Sequence, residues 1–137
     1  MSRTPFNVEV LTPEGLVFRD EVEMISTRTT TGSIGIYAHH QPLLGQLVPT
    51  ELRVYRSESE IVRYAQGEGY IQIGPQGNVL LLVEEAEEPG SLSAATLREK
   101  VATAERELAA AEEGSEAARI AAADKLRYET FLGIAAA

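Results

Sequence analysis

The 137-residue chain has no cysteine and only two histidines, His39 and His40. Without cysteine there is no disulfide and no thiolate metal site, and the composition suits a reducing compartment. Two adjacent histidines do not make a metal-ligand spacing, and neither a P-loop nor a G-x-S-x-G elbow occurs. The residues therefore predict no metal, no cofactor and no catalytic group. Positive charge is also scarce. Twelve Lys and Arg stand against 21 Asp and Glu, a net charge of −9. Phosphate backbones and anionic lipid surfaces repel such a chain, which argues against nucleic-acid or direct lipid binding. Long apolar runs are missing too. The longest, Val79 to Val83, is far too short to span a bilayer, and Met1 to Pro5 has no signal-peptide core. At a membrane, another protein would have to hold this chain in place.

What is present divides near residue 88. Hydrophobic residues make up 44%, enough for a packed core. Phe6, Val8 and Val10 alternate with Asn7 and Glu9, the period of a half-buried strand. Thr12-Pro13-Glu14-Gly15 is a turn. Extended runs follow at Leu16 to Phe18, Val22 to Ile25 and Thr27 to Thr31, the last rich in β-branched residues. Leu52 to Tyr55 and Ile61 to Ala65 flank a polar hairpin loop, Ser57 to Glu60. Tyr70 to Ile73 leads into the turn Gly74-Pro75-Gln76-Gly77-Asn78. Val79 to Val83 is wholly apolar and reads as a strand covered on both sides. About ten short antiparallel strands at such spacing predict a sandwich or flattened barrel over residues 1–88.

Pro89-Gly90, after the acidic residues Glu84, Glu85, Glu87 and Glu88, marks a boundary, because proline cannot donate to a sheet ladder. Residues 89–137 are Ala-rich helical material. Ser91 or Ser93 is the candidate N-cap. Leu97, Val101, Ala104, Leu108 and Ala111 form one narrow apolar stripe, a coiled-coil-like seam. Gly114 breaks the helix and Ser115 caps a second, from about residue 116 to 132, with Ala118, Ala122 and Leu126 four apart. The short connection predicts an antiparallel hairpin, and the tail 133–137 is expected to fray. The acidic groups read as solvated: Asp20, Glu21 and Glu23 as a turn and strand edge, Glu84 to Glu88 as a linker.

The densest unusual segment is Gly32-Ser33-Ile34-Gly35-Ile36-Tyr37-Ala38-His39-His40-Gln41-Pro42-Leu43-Leu44. Two glycines three apart in an apolar stretch suit tight turns or close approach by another chain. His40 as a general base lacks any nucleophile or carboxylate at sensible spacing. A histidine that holds the loop or touches a partner fits better. Without a family to place it in, two readings stand: a free-standing β-sandwich module with a helical dimerisation tail, and a small enzyme using His40.

This segment closely resembles the G-x-x-G-I-x-x-x-H-x-P-L-L signature of the epsilon subunit of F-type ATP synthases, called delta in mitochondria. Phe6 to Val10, Leu47 to Val54, Ala65 to Ile73 and Gly77-Asn78-Val79 are similar to further family segments, so the resemblance covers nearly the whole chain. It departs at Ala38, where proline is frequent, at Thr50, where glycine follows Pro49, and at Gly67-Glu68-Gly69, usually S-G-G. It departs most at Leu92 to Leu97. There some members bind ATP through I/L-D-x-x-R-A, but Ser93 replaces the acidic residue and Thr96 the arginine, so the resemblance implies no ATP site.

The resemblance implies a non-catalytic central-stalk subunit of a proton-translocating enzyme at the bacterial plasma membrane, peripheral on the cytoplasmic side. It implies three partners: the gamma subunit, the rotor c-subunit ring, and the alpha/beta catalytic head when the helices extend. Gly32, Gly35, Ile36, Tyr37, His39, His40 and Pro42 become candidate partner contacts. Arg119, Lys125 and Arg127 become candidate regulatory contacts of a hairpin that blocks ATP hydrolysis.

Overall fold

The computed structural model describes residues 3–136, which divide into two compact units after Glu88. The first unit holds ten strands: β1 (Phe6–Thr12), β2 (Gly15–Val22), β3 (Met24–Thr29), β4 (Gly32–Ile36), β5 (Leu43–Leu47), β6 (Thr50–Tyr55), β7 (Ile61–Gln66), β8 (Gly69–Ile73), β9 (Val79–Val83) and β10 (Ala86–Glu87). Their order is β10-β7-β6-β3-β5-β8-β9-β1-β2, with β4 on the other side of β3. The β1–β9 pairing is parallel, joining Val8 to Val79 and Leu11 to Leu82, and the other pairings are antiparallel.

The core follows the period of two. Phe6, Val8 and Val10 of β1 are buried while Asn7 is exposed. Leu52 and Val54 of β6, and Ile71 and Ile73 of β8, bury alternate positions in the same way. Each strand contributes one row of side chains to the apolar layer between the sheet faces. Among the described residues two polar side chains sit inside this unit, Thr27 and Gln66. Gln66 has no exposed surface. Its Nε2 donates to the Val48 and Gly67 carbonyls at 3.0 and 2.9 Å, and its Oε1 accepts from the Thr27 hydroxyl at 2.5 Å. Full satisfaction removes the penalty of burying it, and the bonds tie β7 to β3 and to the β5–β6 connection.

Two sequence expectations change here. The extended run expected over Val22 to Ile25 is split between the end of β2 and the start of β3. The β9 strand is not covered on both sides: Leu81 is fully buried, but Leu82 is 48% exposed. An all-apolar strand carries no alternation of its own, so only its position in the sheet decides which side faces out.

The second unit opens with a 3-10 turn, Pro89–Ser91, and two helices, α1 (Ala94–Ala110) and α2 (Glu116–Ala136). Ser93 is the N-cap of α1, its hydroxyl accepting from the Thr96 N–H at 3.2 Å. Gly114 turns the chain at φ 76°, and the Ser115 hydroxyl accepts from the Ala118 N–H at 3.1 Å. The α1 stripe lies as its spacing predicts, with Leu97 and Ala104 buried and Val101, Leu108 and Ala111 partly so. In α2 the stripe differs. Ala122 and Leu126 are exposed, and Ala121, Arg127 and Phe131 are buried instead. A strict four-residue repeat advances about 40° per step on a 3.6-residue helix, so it drifts off the seam within two steps. The tail expected to fray continues α2 through Ala136, as Ala-rich sequence allows.

Candidate docking surface

The signature segment is less of a loop than its sequence implies. Gly32 to Ile36 is strand β4, paired with β3 from Thr29↔Gly32 to Ile25↔Ile36, and Leu43 opens β5. Only residues 37–42 form a connection. Gly32 and Gly35 are exposed, as are Tyr37, His39 and Pro42. Ile36 has no exposed surface, so it is a core residue and not a contact residue. Strand alternation, set by pairing with β3, turns it inward.

The connection is shaped by local bonds. His39 adopts φ 65°, the single non-glycine residue with positive φ among the described residues. His40 Nδ1 lies 2.8 Å from the Gln41 carbonyl oxygen and must donate to it. That bond holds the chain ahead of Pro42 and commits one ring nitrogen to structure. The Tyr37 ring carries the Arg3 guanidinium 4.8 Å above it. Among the described residues, no three His, Asp or Glu side chains converge on a metal position.

A larger surface escaped the sequence reading. Leu44 is 74% exposed, Tyr70 56% and Leu82 48%. They sit on neighbouring strands β5, β8 and β9. Tyr70 stands opposite Leu82 on one side and Gln46 on the other, with Leu44 two residues from Gln46. Their side chains share the face turned away from the core, and Leu11 continues the row on β1 beside Leu82. A shallow groove of about 370 Å³ runs past Leu11, Pro13, Tyr70 and Leu82. Contiguous exposed apolar side chains of this kind mark interaction surfaces. The alternation of β8, with Tyr70 and Gln72 outward, was the available signal. A tyrosine on the outward row is read as ordinary until its neighbours on other strands are known.

In the second unit the three candidate regulatory cations differ. Arg119 is exposed and paired with Glu116. This hydrogen bond raises the Arg119 pKa and lowers that of Glu116. Lys125 is 3.7 Å from Glu129. Arg127 is buried, its Nη2 donating to Asp124 Oδ1 at 2.8 Å and to the Tyr128 hydroxyl at 3.3 Å. In this conformation Arg127 is no surface contact, because α2 rotates it off the solvent face. Between the helices lies a cavity of about 360 Å³ lined by Thr96, Lys100, Asp124, Tyr128 and the carboxylates of Glu99 and Glu107. Lys100 sits 5.2 Å over the Tyr128 ring.

Residues 5–89 match the sequence model of the family described as ATP synthase, Delta/Epsilon chain, beta-sandwich domain. The chain belongs to this delta/epsilon family. The wider matches extend into its helical unit. The ATP synthase epsilon chain of Natranaerobius thermophilus is 31% identical over 127 residues, 91% of this chain and 89% of that one. That of Ruminococcus albus is 30% identical over 105 residues, 77% and 78% of the two chains. That of Persephonella marina is 43% identical over 81 residues, 59% of each chain. The delta/epsilon fold also agrees with solved structures. A chain of Euglena gracilis mitochondrial ATP synthase superposes with a TM-score of 0.69 at 21% identity, covering 93% of this chain and 77% of that one. A chain of the Tetrahymena thermophila enzyme, from its central stalk and c-ring, gives 0.64 at 16% identity, with 98% and 99% covered.

Proposed function

We propose that this delta/epsilon chain is a non-catalytic stalk subunit of a proton-translocating ATP synthase that docks on the gamma subunit through the outer face of its β domain. The exposed row Leu44, Tyr70 and Leu82 carries this reading. It is a flat apolar surface on a domain of this family, and covering it from water is worth about 25 cal/mol per Å² of apolar area. The residues 37–42 connection, with Tyr37, His39 and Pro42 exposed, faces the rotor c-subunit ring in this proposal. Through the two contacts, rotation of the ring is passed to the head. Among the described residues no helix is long and apolar enough to cross a membrane, and the acidic chain reaches the cytoplasmic side of the plasma membrane as part of the complex.

The hairpin is the regulatory element in this reading. It extends toward the alpha/beta head, where Arg119, Lys125 and Arg127 meet acidic surfaces, and it restrains ATP hydrolysis. A narrow Ala-rich seam stabilises the closed hairpin only modestly, which suits a two-state element. No ATP is bound at Leu92 to Leu97. Ser93 serves as the N-cap, and the cavity beside Thr96 gathers carboxylates that oppose a polyphosphate.

Co-purification with gamma tests docking: a Leu82→Lys chain that folds but binds gamma as tightly as the parent would overturn it. Removing the residues after Pro89 is expected to raise hydrolysis by the reconstituted head, and unchanged activity would exclude the inhibitory role. Calorimetry with ATP is expected to show no heat of binding in the micromolar range.

A further inference from the structure

Among the described residues, the hydrogen bonds and ion pairs of α1 stay within that helix and its cap. The Ser93 hydroxyl accepts from the Thr96 N–H, and the Arg106 guanidinium donates to the Thr103 hydroxyl at 3.1 Å. In α2, Arg119 pairs with Glu116, Lys125 with Glu129 and Arg127 with Asp124, each three or four residues away on the same helix. The apolar residues buried along the two helices are Leu97 and Ala104 of α1 and Ala121 and Phe131 of α2. Apolar burial has no preferred direction. One contact between the helices does: the Lys100 ammonium of α1 lies 5.2 Å from the centre of the Tyr128 ring of α2.

Helix α2 holds that ring ready by itself. Arg127 Nη2 donates to the Tyr128 hydroxyl at 3.3 Å and to Asp124 Oδ1 at 2.8 Å, and the guanidinium carbon lies 4.8 Å from the same ring centre. Arg127 is buried, so the Tyr128 side chain is fixed without help from α1. The carboxylates of Glu99, Glu107 and Asp124 line the adjoining cavity and offset the repulsion between the two cations that share the ring. Even so, among the described residues Lys100 makes no ion pair or hydrogen bond, and its charge is committed to the ring. Lys100 and Tyr128 each stand fourteen residues from Gly114, where the chain turns. At 1.5 Å per residue that is about 21 Å from the turn. The contact therefore sits toward the open end of the hairpin, where a small rotation at the turn separates the helices most.

We propose that Lys100 and Tyr128 form a latch that holds the hairpin closed and sets how often α1 and α2 part. Parting leaves the bonds within each helix intact and breaks this contact. Loss of the latch therefore shifts the hairpin toward the open state without melting the helices. The latch is weak by construction, because Lys100 is exposed. An exposed cation–π contact changes an equilibrium about two- to fivefold. That is enough to bias a switch and little enough for a partner to overcome. The regulatory meaning of the latch rests on the reading that the open hairpin restrains ATP hydrolysis.

The chain lacks cysteine, so a cysteine placed at Ala121 is its single thiol. Ala121 is 1% exposed and lies two turns before Tyr128 on the same face of α2. A thiol reagent therefore reaches it when the helices part. In the full chain carrying Ala121→Cys, Lys100→Met and Tyr128→Leu are each expected to speed labelling about two- to fivefold. The double variant should be no faster than the quicker single variant, while Lys100→Arg and Tyr128→Phe should keep the parent rate. Helix content by circular dichroism should stay that of the parent. Single variants that label at the parent rate overturn the proposal. So do effects that multiply in the double variant, since two residues in one contact are not independent, and so does faster labelling with loss of helix. ATP hydrolysis by the reconstituted head separates the latch from the reading beneath it. Faster labelling with lower hydrolysis supports both. Faster labelling at unchanged hydrolysis supports the latch and overturns the restraint of hydrolysis.

Discussion

A Cβ atom placed on Gly69 would lie 1.9 Å from the carbonyl oxygen of Leu82, well inside contact distance. Gly69 begins β8 beside β9, and the two backbones approach so closely there that no side chain fits. Gly69→Ala is therefore expected to destabilise the chain by about 2 kcal/mol or more, since a backbone must move. Urea unfolding at constant slope checks this.

Gln66 predicts a comparable loss by another route. Gln66→Leu keeps the volume but strips partners from the Thr27 hydroxyl and the Val48 carbonyl inside the core. Each group left unpaired costs about 1–3 kcal/mol. Adding Thr27→Val should recover part of that loss, which a double-mutant cycle would measure.

Leu82→Lys and Tyr70→Lys separate docking from folding. Both side chains are about half exposed, so unfolding free energy should change by no more than about 0.5 kcal/mol. Association with gamma should weaken by about 2 kcal/mol or more if they anchor the interface.

Tyr64 gives a pH test. Burial raises its pKa above the ordinary value near 10, the Glu88 charge adds to the rise, and Arg56 opposes it. Its ring packs edge-on to Phe18 at 6.4 Å. The folded state holds the phenol proton more tightly than the unfolded one. This contribution is thus complete below pH 10 and is lost as pH rises from there through the folded value. The difference in absorbance titration between the parent and Tyr64→Phe should show a phenol that ionises later than free tyrosine.

Local signals carried much of the architecture. The alternation in Phe6 to Val10, the composition break at Pro89-Gly90, the cap at Ser93 and the turn at Gly114 depend on neighbours a few residues away, and all are readable along the chain. The signature over Gly32 to Leu44 likewise pointed to the family. Tertiary structure decided what depends on distant partners. Ile36 is buried because β4 pairs with β3, and Leu82 is exposed because β9 has an uncovered outer face. The row Leu44, Tyr70 and Leu82 exists only when β5, β8 and β9 lie side by side. Arg127 is buried because the turns of α2 carry its face inward, against the drift of the Ala118, Ala122 and Leu126 stripe. Sequence determines period and punctuation, since these are properties of a short stretch of chain. Register and the choice of covered face belong to pairings between residues far apart, and the apolar docking row is a product of those pairings.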